Sequence, residues 1–203
     1  MKKNVLCVAR HSAGIPSTTG IHSYDFSQVQ EDDFLFVNRK IVDGKEPKNV
    51  ELGSMFPQVL PYVTIHCGEH VLIYSRAKGA EERLHGSLSL GFGGHIDIDD
   101  FHADHGYKDC IKTGVVREIQ EELNLSIAGQ VYIKDFTQVI VDNTNQVGQV
   151  HLGLPLALEV ASHEAVEPDP EETYQARWVD VQWLQENIEL FENWSQMVIN
   201  TLI

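Results

Sequence analysis

Three glutamates, Glu118, Glu121 and Glu122, stand at i, i+3 and i+4 in the segment KDCIKTGVVREIQEELNL, residues 108–125. On a helix of ~100° per residue they share an arc of about 100°. Val115, Val116, Ile119 and Leu123 fall beside that arc and form the expected buried stripe. The carboxylates therefore border the core face, at the rim of whatever the helix packs against. Like charges at this spacing weaken a helix by ~0.2–0.5 kcal/mol per pair. Glu121 and Glu122 also meet the negative end of the helix dipole. A solvated acidic face is the plain explanation. Against it stand the position of the cluster at the edge of the apolar stripe and the presence of Arg117 beside it. Several carboxylates on one rigid face are what hard, oxygen-seeking cations such as Mg²⁺ or Mn²⁺ require.

The elements that would carry this helix are legible in outline. Strands are expected at 59–66 and 70–74, flanking a hairpin turn at Cys67-Gly68-Glu69. Another short strand, 87–92, runs into Gly91-Phe92-Gly93-Gly94. A stretch rich in His and Asp, from His95 to His105, separates it from the helix, expected over 108–123. β-rich segments follow at 130–141 and 149–160, with a further strand at 174–179. Helix signals run from 183 to 202, with Ile188, Leu190, Trp194 and Val198 able to face a core. Residues 1–57 hold apolar pieces at 5–8 and 34–37 among turn formers. They read as an N-terminal extension packed on a main domain of 58–203.

At 203 residues, two full domains would be a squeeze. Thirty acidic against fifteen basic residues leave a formal charge of −15, which disfavours a nucleic-acid or polybasic membrane role. The cysteines, Cys7, Cys67 and Cys110, are odd in number and widely spaced, as suits reduced thiols in a cytoplasmic protein. No apolar run approaches the ~18 residues of a membrane span. Between Glu159 and Glu192 ten acidic residues face one base, Arg177. This reads as a solvated acidic face with a mobile loop near Pro168 and Pro170.

Residues 117–125, R-E-I-Q-E-E-L-N-L, resemble the core of the Nudix box, G-x5-E-x7-R-E-U-x-E-E-x-G-U with U apolar, and Gly93-Gly94 resembles its start. The resemblance implies an α+β chain built as a Nudix-like α/β/α sandwich with a mixed sheet. It implies a Mg²⁺- or Mn²⁺-dependent hydrolase of a phosphoanhydride in a nucleoside diphosphate linked to another group. Glu118 and Glu122 would be the main metal ligands, and Glu121 a third ligand or the group that activates water. Arg117 would fix the carboxylates, and the backbone at Gly93 and Gly94 would border metal and substrate. LPYVTI, RLHGSLSLGFGGHID, VGQVHLG and ENWSQ are similar to a subgroup loosely labelled phosphoesterases. There are departures. Asp109 follows Gly94 by 15 positions where the pattern has 6, so nine residues are inserted and Asp109 stands for the first glutamate. Asn124 replaces the final glycine, and Asn tolerates the left-handed position that ends a helix.

Other residues carry weaker signals. Arg76, Lys78 and Arg83 form the densest basic cluster. Arg76 and Arg83 are candidate phosphate contacts, and Lys78 reads as a solubilising rim. His95, His102 and His105 with Asp97, Asp99, Asp100 and Asp104 fit no standard zinc spacing and read as a solvated loop. His151 reads as an inward histidine with its hydrogen bonds satisfied, and Tyr62, Phe92 and Trp178 as core. Two other functions compete with hydrolysis. One is a binding module that senses a nucleotide on the same fold. The other is an isopentenyl-diphosphate isomerase-like enzyme, which would need a positioned Cys and Glu. The expected partner is a small nucleotide-type molecule, with neither nucleic acid nor membrane, and a homodimer is allowed for.

Overall fold

The computed structural model describes residues 4–43, 50–75, 86–127 and 130–203. Its strands are β1 (Asn4–Val8), β2 (Gly20–Ser23), β3 (Phe34–Asn38), β4 (Gln58–Cys67), β5 (His70–Ser75), β6 (Leu88–Ser89), β7 (Gln138–Val141), β8 (His151–Glu159) and β9 (Tyr174–Asp180). Its helices are α1 (Arg39–Val42), α2 (Val50–Met55), α3 (Gly106–Leu123), α4 (Gln146–Gln149), α5 (Val181–Glu186) and α6 (Asn193–Leu202). The class is the expected mixture of α and β. Among the described residues no helix is long and apolar enough to cross a membrane.

The chain divides into two compact units, and β4, β8 and α3 run through both. The first comprises Met1–Pro61, Gly94–Val116 and Ala128–Pro155. Its strand order is β2-β7-β8-β4-β1-β3. β1 and β3 pair antiparallel from Asn4↔Asn38 to Val8↔Phe34. Val5, Cys7 and Val42 centre an apolar cluster with Leu35, Val37 and Phe56 against it.

The second unit comprises Tyr62–Gly93, Arg117–Ile127 and Leu156–Ile203. There β5 pairs with β4, β6 and β9. His66↔Val71 and Cys67↔His70 close the expected hairpin. Val63, Ile65, Leu72, Ile73, Leu90 and Phe92 are buried from the strands, and Ile119 and Leu123 from the helix. Leucine, valine and isoleucine at these positions each contribute ~1.5–3 kcal/mol by leaving water, so the stripe beside the glutamates is what anchors the helix.

Several expectations need correction. The β-rich stretch 130–141 is strand only over Gln138–Val141, and Ile133–Asp135 is a 3-10 turn. The Asp135 carboxylate accepts from the Tyr132 amide at 3.1 Å, a local bond that competes with a ladder. β2 gives almost no sequence signal, since Ile21 is its one large apolar residue, yet it pairs with β7 from Gly20↔Val141 to Ser23↔Gln138. The helix signal at 183–202 is two helices with a turn between them. Leu190 lies in that turn, 45% exposed, and Phe191 is buried instead. Val116 is only half-buried.

Candidate active site

The second unit gathers the acidic helix turns and the glycine turn. Arg117 Nη1 donates to Glu118 Oε1 at 2.8 Å and to Glu121 Oε2 at 3.1 Å. One guanidinium nitrogen thus ties two of the three carboxylates. The side chain of Glu118 is 15% exposed and that of Glu121 59%. Glu118 therefore sits at the inner rim and Glu121 in the open. The exposed Arg117–Glu121 pair, at i, i+4, stabilises by ~0.3–0.5 kcal/mol, about what the glutamate crowding costs.

The third carboxylate is held differently. Glu122 Oε2 accepts from the Gly93 amide at 2.8 Å. Gly93 has φ +126°, a backbone state that residues with side chains rarely adopt. The glycine turn and the helix, 29 residues apart, are therefore joined by one charge-assisted bond. Gly94 follows, half-buried.

The end of α3 is closed from far along the chain. Asn124 has φ +47°, the expected left-handed state, and its amide donates to Gln120 O at 3.1 Å. Glu167 N donates to Leu123 O at 3.0 Å, and Asp169 N to Glu122 O at 2.8 Å. These amides satisfy carbonyls that a helix end leaves unmatched. The Asn124 side chain accepts from Gln120 and donates to Glu167, both at 2.9 Å. The acidic segment is thus more than a solvated face. Glu171 and Glu172 are exposed, but the backbone at 167–169 caps the helix that bears the glutamates.

The remaining candidates fall elsewhere. Arg76, Lys78 and Arg83 lie outside the described residues. Asp109 pairs with Lys112 at 2.5 Å, and on a 3.6-residue repeat it is half a turn out of phase with Glu118. It lines a polar cavity in the first unit with Asp100, His102, His105, Cys110 and Thr113. The inserted loop is less solvated than its composition suggests, for Asp100 is buried and its carboxylate accepts from the Asp97 amide at 2.9 Å. His151 is buried and inward as expected, with Nδ1 2.8 Å from Val147 O. Tyr62 and Phe92 are core, and Trp178 stacks on His163 at 4.5 Å. Cys110 is buried in α3 and Cys67 half-buried in the hairpin.

Sequence reasoning missed one group altogether. The Glu192 carboxylate accepts from the amides of Trp194 and Ser195 at the start of α6, and from the Tyr62 hydroxyl at 2.7 Å. An acidic residue directly before a helix signals such a cap. Nothing signals Tyr62, 130 residues earlier.

The three donors that the last turns of α3 offer, Glu118, Glu121 and Glu122, are carboxylates, a set whose chemistry suits Mg²⁺ or Mn²⁺. Arg117 and the Gly93 amide draw these oxygens to themselves. As the side chains stand, no three His, Cys, Asp or Glu among the described residues converge closely enough to hold an ion.

No family model matches the chain. It is 35% identical over 157 residues to Protein YmaB of Bacillus subtilis (strain 168), covering 76% of this chain and 75% of that one. It is similar to the crystal structure of Tm1382, a protein itself only provisionally assigned as a Nudix hydrolase. The TM-score is 0.72 at 21% identity, over 98% of this chain and 97% of that one. It is also similar to a bifunctional NMN adenylyltransferase/ADP ribose pyrophosphatase from Francisella tularensis, solved with AMP and a manganese ion. That match has a TM-score of 0.51 at 14% identity, over 77% of this chain and 44% of the other.

Proposed function

Because the chain belongs to one family with Protein YmaB and has the fold of the Nudix hydrolases, we propose that it is a divalent-metal-dependent hydrolase of a phosphoanhydride bond in a nucleoside diphosphate-linked substrate. The observation that carries this reading is the set of three carboxylates on one helix face, two tied by Arg117 and the third by the Gly93 amide. Glu118 and Glu122 would hold the metal, and Glu121 would stand beside them as the group that activates water. When bound, the ion would supply charge neutralisation for the pyrophosphate and lower the pKa of the attacking water.

The chain's own residues do the rest. Glu121, the most open of the three carboxylates, accepts a proton from the attacking water. The water oxygen bonds to phosphorus, the bridging P–O bond breaks, and the bond pair leaves with the departing phosphate. Arg117 orients Glu118 and Glu121 between turnovers. Gly93 and Gly94 let the substrate approach the backbone, and Arg76 and Arg83 serve as phosphate contacts on the ground of their charge. The substrate is a small nucleotide-type molecule.

Phosphate release, direct or after phosphatase coupling, tests the reading. The panel is nucleoside triphosphates, dinucleoside polyphosphates, ADP-sugars and nucleotide cofactors, with Mg²⁺ or Mn²⁺. Turnover of at least one substrate, abolished by excess EDTA, is expected. Full turnover in EDTA overturns the metal requirement. Tight nucleotide binding without turnover replaces the hydrolase with a sensor.

A further inference from the structure

The glycine turn that reaches Glu122 is held from behind by a cluster that the proposed chemistry does not use. Tyr62 Oη, Ser195 Oγ and Glu192 Oε1 form a triangle. Tyr62 lies 2.7 Å from Glu192 and 2.7 Å from Ser195, and Ser195 lies 2.6 Å from Glu192. Ser195 is fully buried, and its Oγ also accepts the Leu90 amide at 3.2 Å. Glu192 N donates to Leu88 O at 3.0 Å. The Tyr62 ring packs against Gly91, where an added Cβ would stand 2.1 Å from ring carbons. Tyr74 Oη donates to Gly91 O at 3.1 Å, and Phe92 exchanges both backbone bonds with Val63 at 2.8 Å. From Leu88 to Phe92 the backbone is bound residue after residue, and the next amide, Gly93, is the one on Glu122.

We propose that Tyr62, Glu192 and Ser195 are positioning residues that set the Gly93 amide and, through it, the orientation of the Glu122 carboxylate. This deepens the hydrolase reading, and its significance for turnover rests on that reading. Residues chosen only for solubility would not bring two buried hydroxyls onto a half-buried carboxylate, because burying such groups costs free energy unless each is bonded. The two hydroxyl protons make two of the three oxygen–oxygen contacts hydrogen bonds, and the amides of Leu90, Trp194 and Ser195 donate to the serine and glutamate oxygens. A group bonded at so many points is stiff. It transmits its position to the strand segment it grips and so to Gly93. The same residues explain the ENWSQ segment: its Glu starts α6 and its Ser reaches back to the glycine turn.

The test uses the full chain and the amide proton shift of Gly93, which reports its bond to Glu122 without any metal or substrate. Ser195→Ala removes the acceptor for Leu90. Tyr62→Phe removes only the hydroxyl and keeps the ring on Gly91. Both should move the Gly93 resonance while the Val160 and Val181 amides, bonded to His66 O and Glu69 O at the β4–β5 hairpin of the same unit, stay in place. Glu192→Gln keeps an acceptor and should move Gly93 less than Glu192→Ala does. Mn²⁺ binding, followed by electron paramagnetic resonance on the metal alone, should weaken 10–100-fold in Ser195→Ala and Tyr62→Phe. A Gly93 shift unchanged in both folded variants overturns the proposal, as does movement of all three amides together, which marks general loosening. Gly93 movement with unchanged Mn²⁺ affinity overturns the link to Glu122. A wild-type protein that binds no Mn²⁺ and releases no phosphate sinks the hydrolase reading instead, while the Gly93 result still decides the positioning claim.

Discussion

Glutamine in place of Glu122 keeps an acceptor for the Gly93 amide and removes one charge, so geometry and charge can be separated at this residue. For Glu122→Gln and Glu118→Gln we expect a folded protein, within about 1 kcal/mol of wild type, because like-charge crowding on the helix is relieved. Turnover should fall by at least ~100-fold, more than the 10–100-fold typical of a lost outer partner. Melting curves with and without Mg²⁺, run beside the turnover assay, check this. Wild-type activity with an unchanged metal-induced shift would remove the helix from the chemistry. Asn124→Gly trades two exposed side-chain bonds for relief of a φ of +47°. These nearly offset, and a change under about 1 kcal/mol in urea unfolding is expected. A loss above ~2 kcal/mol would mean that the bond to Glu167 is essential to the helix end. The residue types of the candidate site were legible as three carboxylates at helical spacing beside an apolar stripe, singled out by their resemblance to the Nudix box. Their partners were only half readable. Arg117 is adjacent in sequence, whereas Gly93 reaches Glu122 only through the folded chain.

At the scale of elements, periodicity located α3 and the hairpin of β4 and β5 nearly to the residue, since each carries a strong apolar pattern. It failed at β2, whose pairing with β7 comes from its neighbour, and at 130–141, where a side chain bonded its own backbone. Glycines gave a signal that could be seen but not interpreted. Gly91 is one of three in the turn, and only packing shows that its missing Cβ makes room for the Tyr62 ring. Gly91→Ala should therefore destabilise by at least ~1–3 kcal/mol, because a rigid ring held by two hydrogen bonds cannot step aside. Denaturant midpoints measure it. A loss below ~0.5 kcal/mol would show that the Tyr62 cluster yields easily, and that would count against its positioning role.

Over the whole molecule, the pH dependence of stability has a specific alkaline limb. Burial first, and then the nearby Asp43 carboxylate, push the Cys7 thiol up to about 12 from an ordinary 9.0. A raised folded-state value means that the neutral form is favoured in the fold. The contribution is whole below pH 9 and is lost as pH rises toward 12. Between pH 8 and pH 10 wild type should lose about 1.4 kcal/mol from this group alone. Cys7→Ala, though less stable at neutral pH, should lack that portion of the slope. Equal slopes in urea unfolding would refute the assignment. In native labelling with iodoacetamide, Cys67 should react before Cys7 and Cys110, which are buried.

The cap on α3 also has a consequence in time. Leu123 and Glu122 receive their closing amides from Glu167 and Asp169, some forty residues downstream. Contacts so distant in sequence form late, since a long loop must close before they repay its entropy. A ribosome making this chain from the N-terminus releases the glutamate helix well before the residues that finish its end. Until 167–169 emerge, the carboxylate turn is an open, fraying terminus carrying adjacent negative charges. The acidic centre is thus among the last parts of its unit to become rigid. A chain halted before residue 167 would hold the residues of the site without its closed helix end.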